Sequence, residues 1–304
     1  MRPDSEHSST PAEGKTPARA NRMVKRSAIL SMDVEDWFHL DYFDRARCNT
    51  SASLLDGLDR YQAILAEEGI PSSFFVLGEL TDVIARRMER EPDIGIHGWS
   101  HRRPLTLSVE EFASDVRRSK DVVEQRLGRA IGGHRAPCFS LDRARLDIVQ
   151  EAGFSYDSSR IQFSSHPLYG MLDLSGYESV RPWVYRRGDF FEFEVSTTRL
   201  GRYTIPISGG GYLRLLPWPV MHRLLVRYLE HESLFVLYIH PFELSTQADP
   251  RLPDGTGWPT RVRFSRGRSH TEQRLRMLLA LLRKNGFEFT TFAQLRNEIL
   301  SSQG

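Results

Sequence analysis

The feature that most constrains this chain is a rhythm: short apolar runs alternate with stretches whose leucines and aromatics recur every three or four residues. "AILSM" (28–32) reads as a buried strand. Leu54, Leu55, Leu58, Tyr61, Ile64 and Leu65 then fall on one helical face, and that helix should stop near Gly69 and Pro71. "SSFFVLG" (72–78) is expected as a second strand, with a helix following to about Arg90. "DIGIHGWSH" (93–101) reads as a strand running into a loop. Ser108 with Glu111 forms a capping-box signature ahead of Phe112, Val116 and Val123. "AIGGHRAPCFS" (130–140) is a strand leading into a Pro-containing loop, before a helix from about Leu141 to Ala152. Alternation of this kind implies parallel strands with helices outside, in a barrel or a doubly wound sheet.

The rest of the chain is less regular. Between about 157 and 215 there are strand-like pieces such as "DFFEFEV" (189–195), and a glycine run, Gly209–Gly211, precedes Tyr212. A helix near Pro219–Glu230 leads to "LFVLYIH" (234–240), another apolar strand. Residues 245–270 are polar and too long for a passive connector, which suggests a loop on the substrate side. A helix carrying Leu275, Leu278, Leu279, Leu281 and Leu282, then a strand "FEFTTF", close the chain.

Composition narrows the function classes. The formal net charge is +2, and residues 1–26 hold six Lys/Arg against three Asp/Glu, so the remainder is near −1. No global basic field draws the chain to nucleic acid or an anionic membrane. Residues 1–26 are rich in Ser, Pro, Ala and charge and are expected to be a disordered tail, with one domain over 27–304. The tail lacks the apolar core of a secretory signal, and no run reaches transmembrane length, so a cytoplasmic location is expected. Two cysteines, Cys48 and Cys138, can form at most one bridge and no disulfide framework.

Four polar clusters share one placement, the C-terminal end of an apolar strand: Asp33/Glu35/Asp36, His97/His101, Arg135 with Pro137, and His240 with Glu243. That edge is where parallel α/β folds build active sites. His97 and His101 are four apart; on a helical turn both imidazoles would share a face and could share a metal. In an extended strand Asp33 and Glu35 point one way while Met32 and Val34 point the other. Two carboxylates so close repel unless a cation intervenes. A metal resolves this, one carboxylate binding it and the other taking a proton from water; Asp36 could replace Glu35 if the strand ends early. Arg135 could orient a carboxylate or recognise an anion. His240 has a titration range suited to protonating a leaving amine. Tyr212, Trp99, Trp183 and Trp218 could stack on sugar rings or pack in the core.

The combination resembles the NodB-homology polysaccharide deacetylases, and within them the exopolysaccharide-associated branch. The motifs "DVEDWF", "HGWSH", "RAPCFS", "YDSS" (156–159), "GGGYLRLLP" (209–217) and "HPFE" (240–243) carry the likeness, which spans about residues 28–298. The resemblance implies a distorted (β/α) barrel holding a divalent metal, zinc foremost, with cobalt or nickel as alternatives. It implies removal of N-acetyl groups from N-acetylhexosamine residues of a polysaccharide or lipid-linked glycan. By position Asp33 would be the general base, His240 the general acid, and Glu35, His97 and His101 the metal ligands. Arg135 would orient Asp33, and the Cys138 amide would help hold the oxyanion in a substrate pocket with Pro137, Trp99 and Tyr212. The family's usual motif has two adjacent Asp, whereas here Val34 intervenes and the second acid is Glu35, so Asp36 stands as the alternative to Glu35 for the one carboxylate ligand. The Asp–Trp motif behind the Arg is not evident; Asp157 is the candidate for its role. The rival functions are a non-catalytic glycan-binding relative and a cyclic imide or ureide hydrolase of the same fold.

Overall fold

The computed structural model describes residues 25–162 and 168–303; the expected tail lies almost entirely outside them. The chain opens with strand β1 (Ser27–Val34), helix α1 (Asp56–Glu68), β2 (Ser73–Val76), α2 (Thr81–Met88), β3 (Asp93–Ile96) and α3 (Val109–Leu127). It continues through β4 (Gly133–His134), α4 (Arg143–Glu151) and β5 (Tyr156–Asp157). A strand run follows: β6 (Glu178–Arg181), β7 (Val184–Arg187), β8 (Phe190–Phe193), β9 (Thr197–Leu200) and β10 (Tyr203–Pro206). Then come α5 (Gly210–Leu215), α6 (Trp218–His231), β11 (Leu234–Ile239), α7 (Pro241–Leu244), α8 (Trp258–Ser265), α9 (Thr271–Lys284), β12 (Glu288–Thr290) and α10 (Phe292–Gln303).

The main sheet runs β11-β1-β2-β3-β4-β5-β8-β7-β6, with β12 pairing the start of β1. From β11 to β8 every pairing is parallel, and β6–β7–β8 form an antiparallel edge. The sheet curls into an incomplete barrel. Its open side is spanned by the segment around Ser196–Gly209, where Ser196 Oγ accepts from Val236 N at 2.9 Å and Tyr238 N donates to Ser208 O at 2.9 Å.

Strand alternation sorts the core. Ala28, Leu30, Met32 and Val34 of β1 pack outward in the cluster shared with the helices. Ile29 points into the barrel with Phe75, Tyr156, Phe191, Phe193 and Val236, and α10 adds Phe292 and Leu295. A third cluster joins the loop after β1 (Trp37, Phe38, Leu40, Phe43) to Phe242 of α7 and Phe264 of α8. Truncating a fully buried ring such as Phe264 costs about 3–5 kcal/mol, and here it would also release α8 from the mouth of the barrel.

Most elements lie close to where the periodicity puts them, and α1 ends at Gly69 in the left-handed conformation (φ 63°). Three details differ. The 245–270 segment is not all loop, since α8 lies within it. "AIGGHRAPCFS" pairs in the sheet over only two residues. The chain closes with α10 rather than a strand. Both cysteines are free thiols. No helix among the described residues is long and apolar enough to cross a membrane.

Candidate active site

The ends of β1, β3, β4 and β11 converge on one cavity of about 320 Å³, at the lower end of the size range of small-molecule sites. It is lined by Asp33, Glu35, His97, His101 and His240, with Tyr42, Phe139, Tyr169, Tyr212 and Phe242 as aromatic walls. Among the described residues, one group of side chains is arranged to hold a metal ion: Glu35, His97 and His101, their donor atoms all within 4.8 Å of one another and all buried.

The two histidines do not meet on a helical turn. The chain leaves β3 as a loop in which Gly98 (φ 77°) and His101 (φ 63°) take left-handed backbone, and this folds His101 back toward His97, ring centroids 5.1 Å apart. A non-glycine residue held at positive φ is strained by order 1–3 kcal/mol, a cost that concentrates at functional sites. Pro137 supports the loop from below, lying within 3.4 Å of where a Cβ on Gly98 would stand.

Several observations test whether these residues suit a divalent cation. His97 Nδ1 lies 2.8 Å from the Arg135 carbonyl, so Nδ1 carries the proton and the Nε2 lone pair is free. Glu35 Oε2 lies 2.9 Å from His101 Nε2, yet Oε2 is buried without a hydrogen-bond partner, as is His101 Nδ1. A carboxylate oxygen and a ring nitrogen brought this close without hydrogen-bond geometry suit an ion between them. Burial pushes the Glu35 carboxyl up, but the imidazoles of His101, His240 and His97 outweigh it and hold the group at about 2. Burial, chiefly, brings His97 down to about 4, keeping it neutral as a ligand must be. Two imidazoles and one carboxylate leave positions open for water and substrate. The residues fit the group.

Asp36 stands outside this cluster. Its Oδ1 accepts from Trp37 N at 2.8 Å and from Leu54 N at 2.9 Å, capping the turn after β1 and tying it to the chain before α1. His39, alongside, pairs its Nε2 with Glu79 at 2.7 Å.

Asp33 lies one alternation before Glu35 and accepts from Arg135 Nη1 at 2.7 Å. Arg135 is buried inside the barrel. Its Nη1 also donates to Ser31 Oγ (2.8 Å), its Nε and Nη2 donate to the carbonyl and hydroxyl of Ser158 (3.0 Å each), and its guanidinium lies over Phe75 at 4.1 Å. Asp157 does not touch it: Asp157 faces His134 Nδ1 at 2.5 Å and takes the amide and hydroxyl of Ser159. Ser158, within "YDSS", is thus the residue behind the arginine.

His240 follows β11, whose register with β1 (Met32 opposite Ile239) sets it beside Glu35, Nε2 to Oε1 at 3.5 Å. On its other side Nδ1 meets Glu243 Oε2 at 3.2 Å, and Glu243 Oε1 accepts from Arg214 Nε at 3.0 Å. Burial disfavours the imidazolium, but the bond to Glu243 and the charges of Glu243, Glu35 and Asp33 outweigh it and lift His240 to about 9. Glu243 enters the sequence reading only as the neighbour of His240 in one polar cluster, and Arg214 carries no expectation of its own. Their signals were the H-x-x-E spacing of a capping box and the glycine run: a Cβ on Gly210 would come within 1.9 Å of Glu243 Oε2.

Cys138 lines the cavity in left-handed backbone (φ 54°, ψ 24°), and its N–H makes no hydrogen bond to any described residue. Burial pushes its thiol far above the usual range, so it is no thiolate. Tyr212 lines the same cavity. Trp99, Trp183 and Trp218 do not: Trp99 lies under the Arg118 guanidinium (3.5 Å), Trp183 donates to Glu232, and Trp218 packs against the core.

Comparison with known proteins adds the following. Residues 51–156 match the polysaccharide deacetylase family model, and residues 158–297 match a domain of unknown function, DUF3473. A peptidoglycan deacetylase of Helicobacter pylori is 22% identical over 117 residues, spanning 37% of this chain and 40% of that protein. A Mycobacterium smegmatis structure assigned to the polysaccharide deacetylases superposes with a TM-score of 0.55 at 18% identity, covering 92% of each chain. A carbohydrate esterase family 4 pseudoenzyme from Bacillus anthracis gives 0.49 at 12% identity, covering 90% of this chain and 66% of its own. His97, His101 and Arg135 fall in the first matched region, and Arg214, His240 and Glu243 in the second.

Proposed function

Because this chain belongs to the NodB-homology polysaccharide deacetylases, we propose that it hydrolyses the N-acetyl group of an N-acetylhexosamine in a polysaccharide or a lipid-linked glycan precursor. The observation that carries the reading is that the Glu35/His97/His101 group shares one buried cavity with an arginine-held carboxylate and a carboxylate-held histidine.

Each side chain has a task that follows from its surroundings. Glu35, His97 and His101 would hold a divalent ion, and two imidazoles with one carboxylate suit zinc, with cobalt or nickel as alternatives. When bound, such an ion polarises an amide carbonyl and makes water acidic enough to attack near neutral pH. Asp33 takes the proton of the attacking water, and Arg135 fixes which of its oxygens faces the cavity. The free Cys138 N–H donates to the carbonyl oxygen as negative charge grows there. His240 gives its proton to the departing nitrogen, without which an amine anion would have to leave. Glu243 and Arg214 keep that imidazole charged and aimed. Tyr212 forms part of the wall on which the sugar ring rests.

The test is acetate release from a panel of N-acetylated oligosaccharides by protein stripped with chelator and reloaded with zinc, cobalt or nickel. Release that returns only with metal is expected. Release that persists after stripping would contradict the proposed role of Glu35, His97 and His101.

A further inference from the structure

Charge is paired almost everywhere around the cavity, with one exception. Asp33 is held by Arg135, Glu243 by Arg214 and His240, and Asp41 by Arg103 at 3.3 Å. Arg263, on α8, lines the same cavity, yet among the described residues no carboxylate lies within ion-pair distance and its side chain donates no hydrogen bond. Its guanidinium lies over the Tyr42 ring at 4.3 Å, a contact that supports the cation without occupying its donors as a carboxylate would.

This arginine is also well positioned. Buried Arg214, which pairs with Glu243, donates its Nη1 to the Arg266 carbonyl at 2.6 Å and its Nη2 to the Arg263 carbonyl. The C-terminal turn of α8 is therefore tied to the residue that holds His240, while Phe264 anchors the helix in the cluster with Trp37 and Phe242. The backbone of Arg263 is thus held while its side chain stays exposed at the rim, and a guanidinium is the side chain best shaped for carboxylate or phosphate oxygens. At the mouth of a cavity that would take an acetamido sugar, it distinguishes a charged sugar from a neutral one.

We infer that Arg263 binds an anionic substituent, a carboxylate or a phosphate ester, carried on or beside the sugar whose acetamido group faces Glu35, His97 and His101. The inference deepens the deacetylase reading by naming the substrate's charge. It rests on that reading for the acetamido group alone.

Titration calorimetry of the zinc-loaded protein with N-acetylglucosamine, N-acetylglucosamine 1-phosphate and N-acetylmuramic acid tests it, using wild type, Arg263→Gln and Arg263→Lys. At least one anionic sugar should bind wild type tenfold or more tightly than the neutral sugar, and which one does so separates phosphate from carboxylate. Arg263→Gln should lose at least tenfold more on that sugar than on the neutral one, with Arg263→Lys retaining part of the preference. Equal affinities for all three sugars in wild type, or equal losses in the Gln variant, would overturn the inference. Acetate assays on the same samples separate the two claims. A charge preference without acetate release sinks the deacetylase reading and leaves Arg263 assigned; release with no charge preference does the reverse.

Discussion

Arg135 and Asp33 meet inside the barrel, Nη1 to Oδ1 at 2.7 Å, and neither side chain is exposed beyond 3%. The remaining guanidinium donors go to Ser31 and Ser158. A buried ion pair adds little net stability when complete, but losing one partner leaves a charge stranded in low dielectric. Asp33→Ala should therefore destabilise the protein by about 3–5 kcal/mol, and Asp33→Asn, which keeps an acceptor but also strands the Arg135 charge, should recover only part of that loss. Denaturant titration of the two variants checks this. Equal losses would mean that the carboxylate charge, rather than the acceptor it offers, is what holds Arg135.

Glu243 links His240 to Arg214, and Glu243→Gln keeps its shape while removing its charge. Acetate release should fall by tenfold or more, within the range general acid catalysis contributes, while the bound metal per chain stays that of wild type. Metal analysis beside kinetics makes the distinction. A variant that lost both equally would place Glu243 in the metal site rather than behind the acid.

Because the folded chain assembles Glu35, His97 and His101, a metal that binds them stabilises the folded state. At a hundredfold excess over Kd the gain is about 2.7 kcal/mol. Zinc should raise the melting temperature of wild type and should do so far less for His97→Ala or His101→Ala. No shift in wild type would argue against a site at this cluster.

A separate buried group contributes to the pH dependence of stability. Glu192 is buried on β8 at the same register as Asp157 on β5 and His134 on β4. Burial, chiefly, with the charge of Asp157 and a hydrogen bond to it, raises the Glu192 carboxyl well above the ordinary range, so the folded state keeps its proton. The unfolded chain releases that proton near the usual glutamate value. Stability from this group is thus fully present below that value and is lost as pH rises toward the folded one. Glu192→Gln, permanently neutral, should gain on wild type as the pH is raised from 5 to 8. Urea unfolding at both ends measures it, and a stability difference that did not change with pH would refute the assignment.

How much of this was legible in the sequence depends on the distance over which the physics acts. Alternation along β1 put Asp33 and Glu35 on one face, and the four-residue spacing at a strand end brought His97 and His101 forward. The means by which the two histidines meet was not legible, because it needs the backbone angles of Gly98 and His101 rather than their spacing. Asp36 looked as able a ligand as Glu35 until its acceptor role toward Trp37 and Leu54 was visible. Arg214, Glu243 and Arg263 lay hidden for another reason. What they face across the cavity is set by β11 lying beside β1, more than two hundred residues away in the chain, and no local pattern encodes that pairing. The tryptophans show the converse: an aromatic near a motif is a plausible sugar platform, but Trp99 is committed to Arg118 and Gly78.

The central claim is that Asp33 performs base chemistry beside a metal held by its neighbours. Its most direct test compares zinc-loaded wild type with zinc-loaded Asp33→Asn on an N-acetylated oligosaccharide, reading acetate and free amine together. Wild type should release both in equal amounts, and the variant should bind the same zinc while its rate falls by roughly a hundredfold or more. Equal rates in the two proteins, or no release by wild type on any acetylated glycan, would contradict the account.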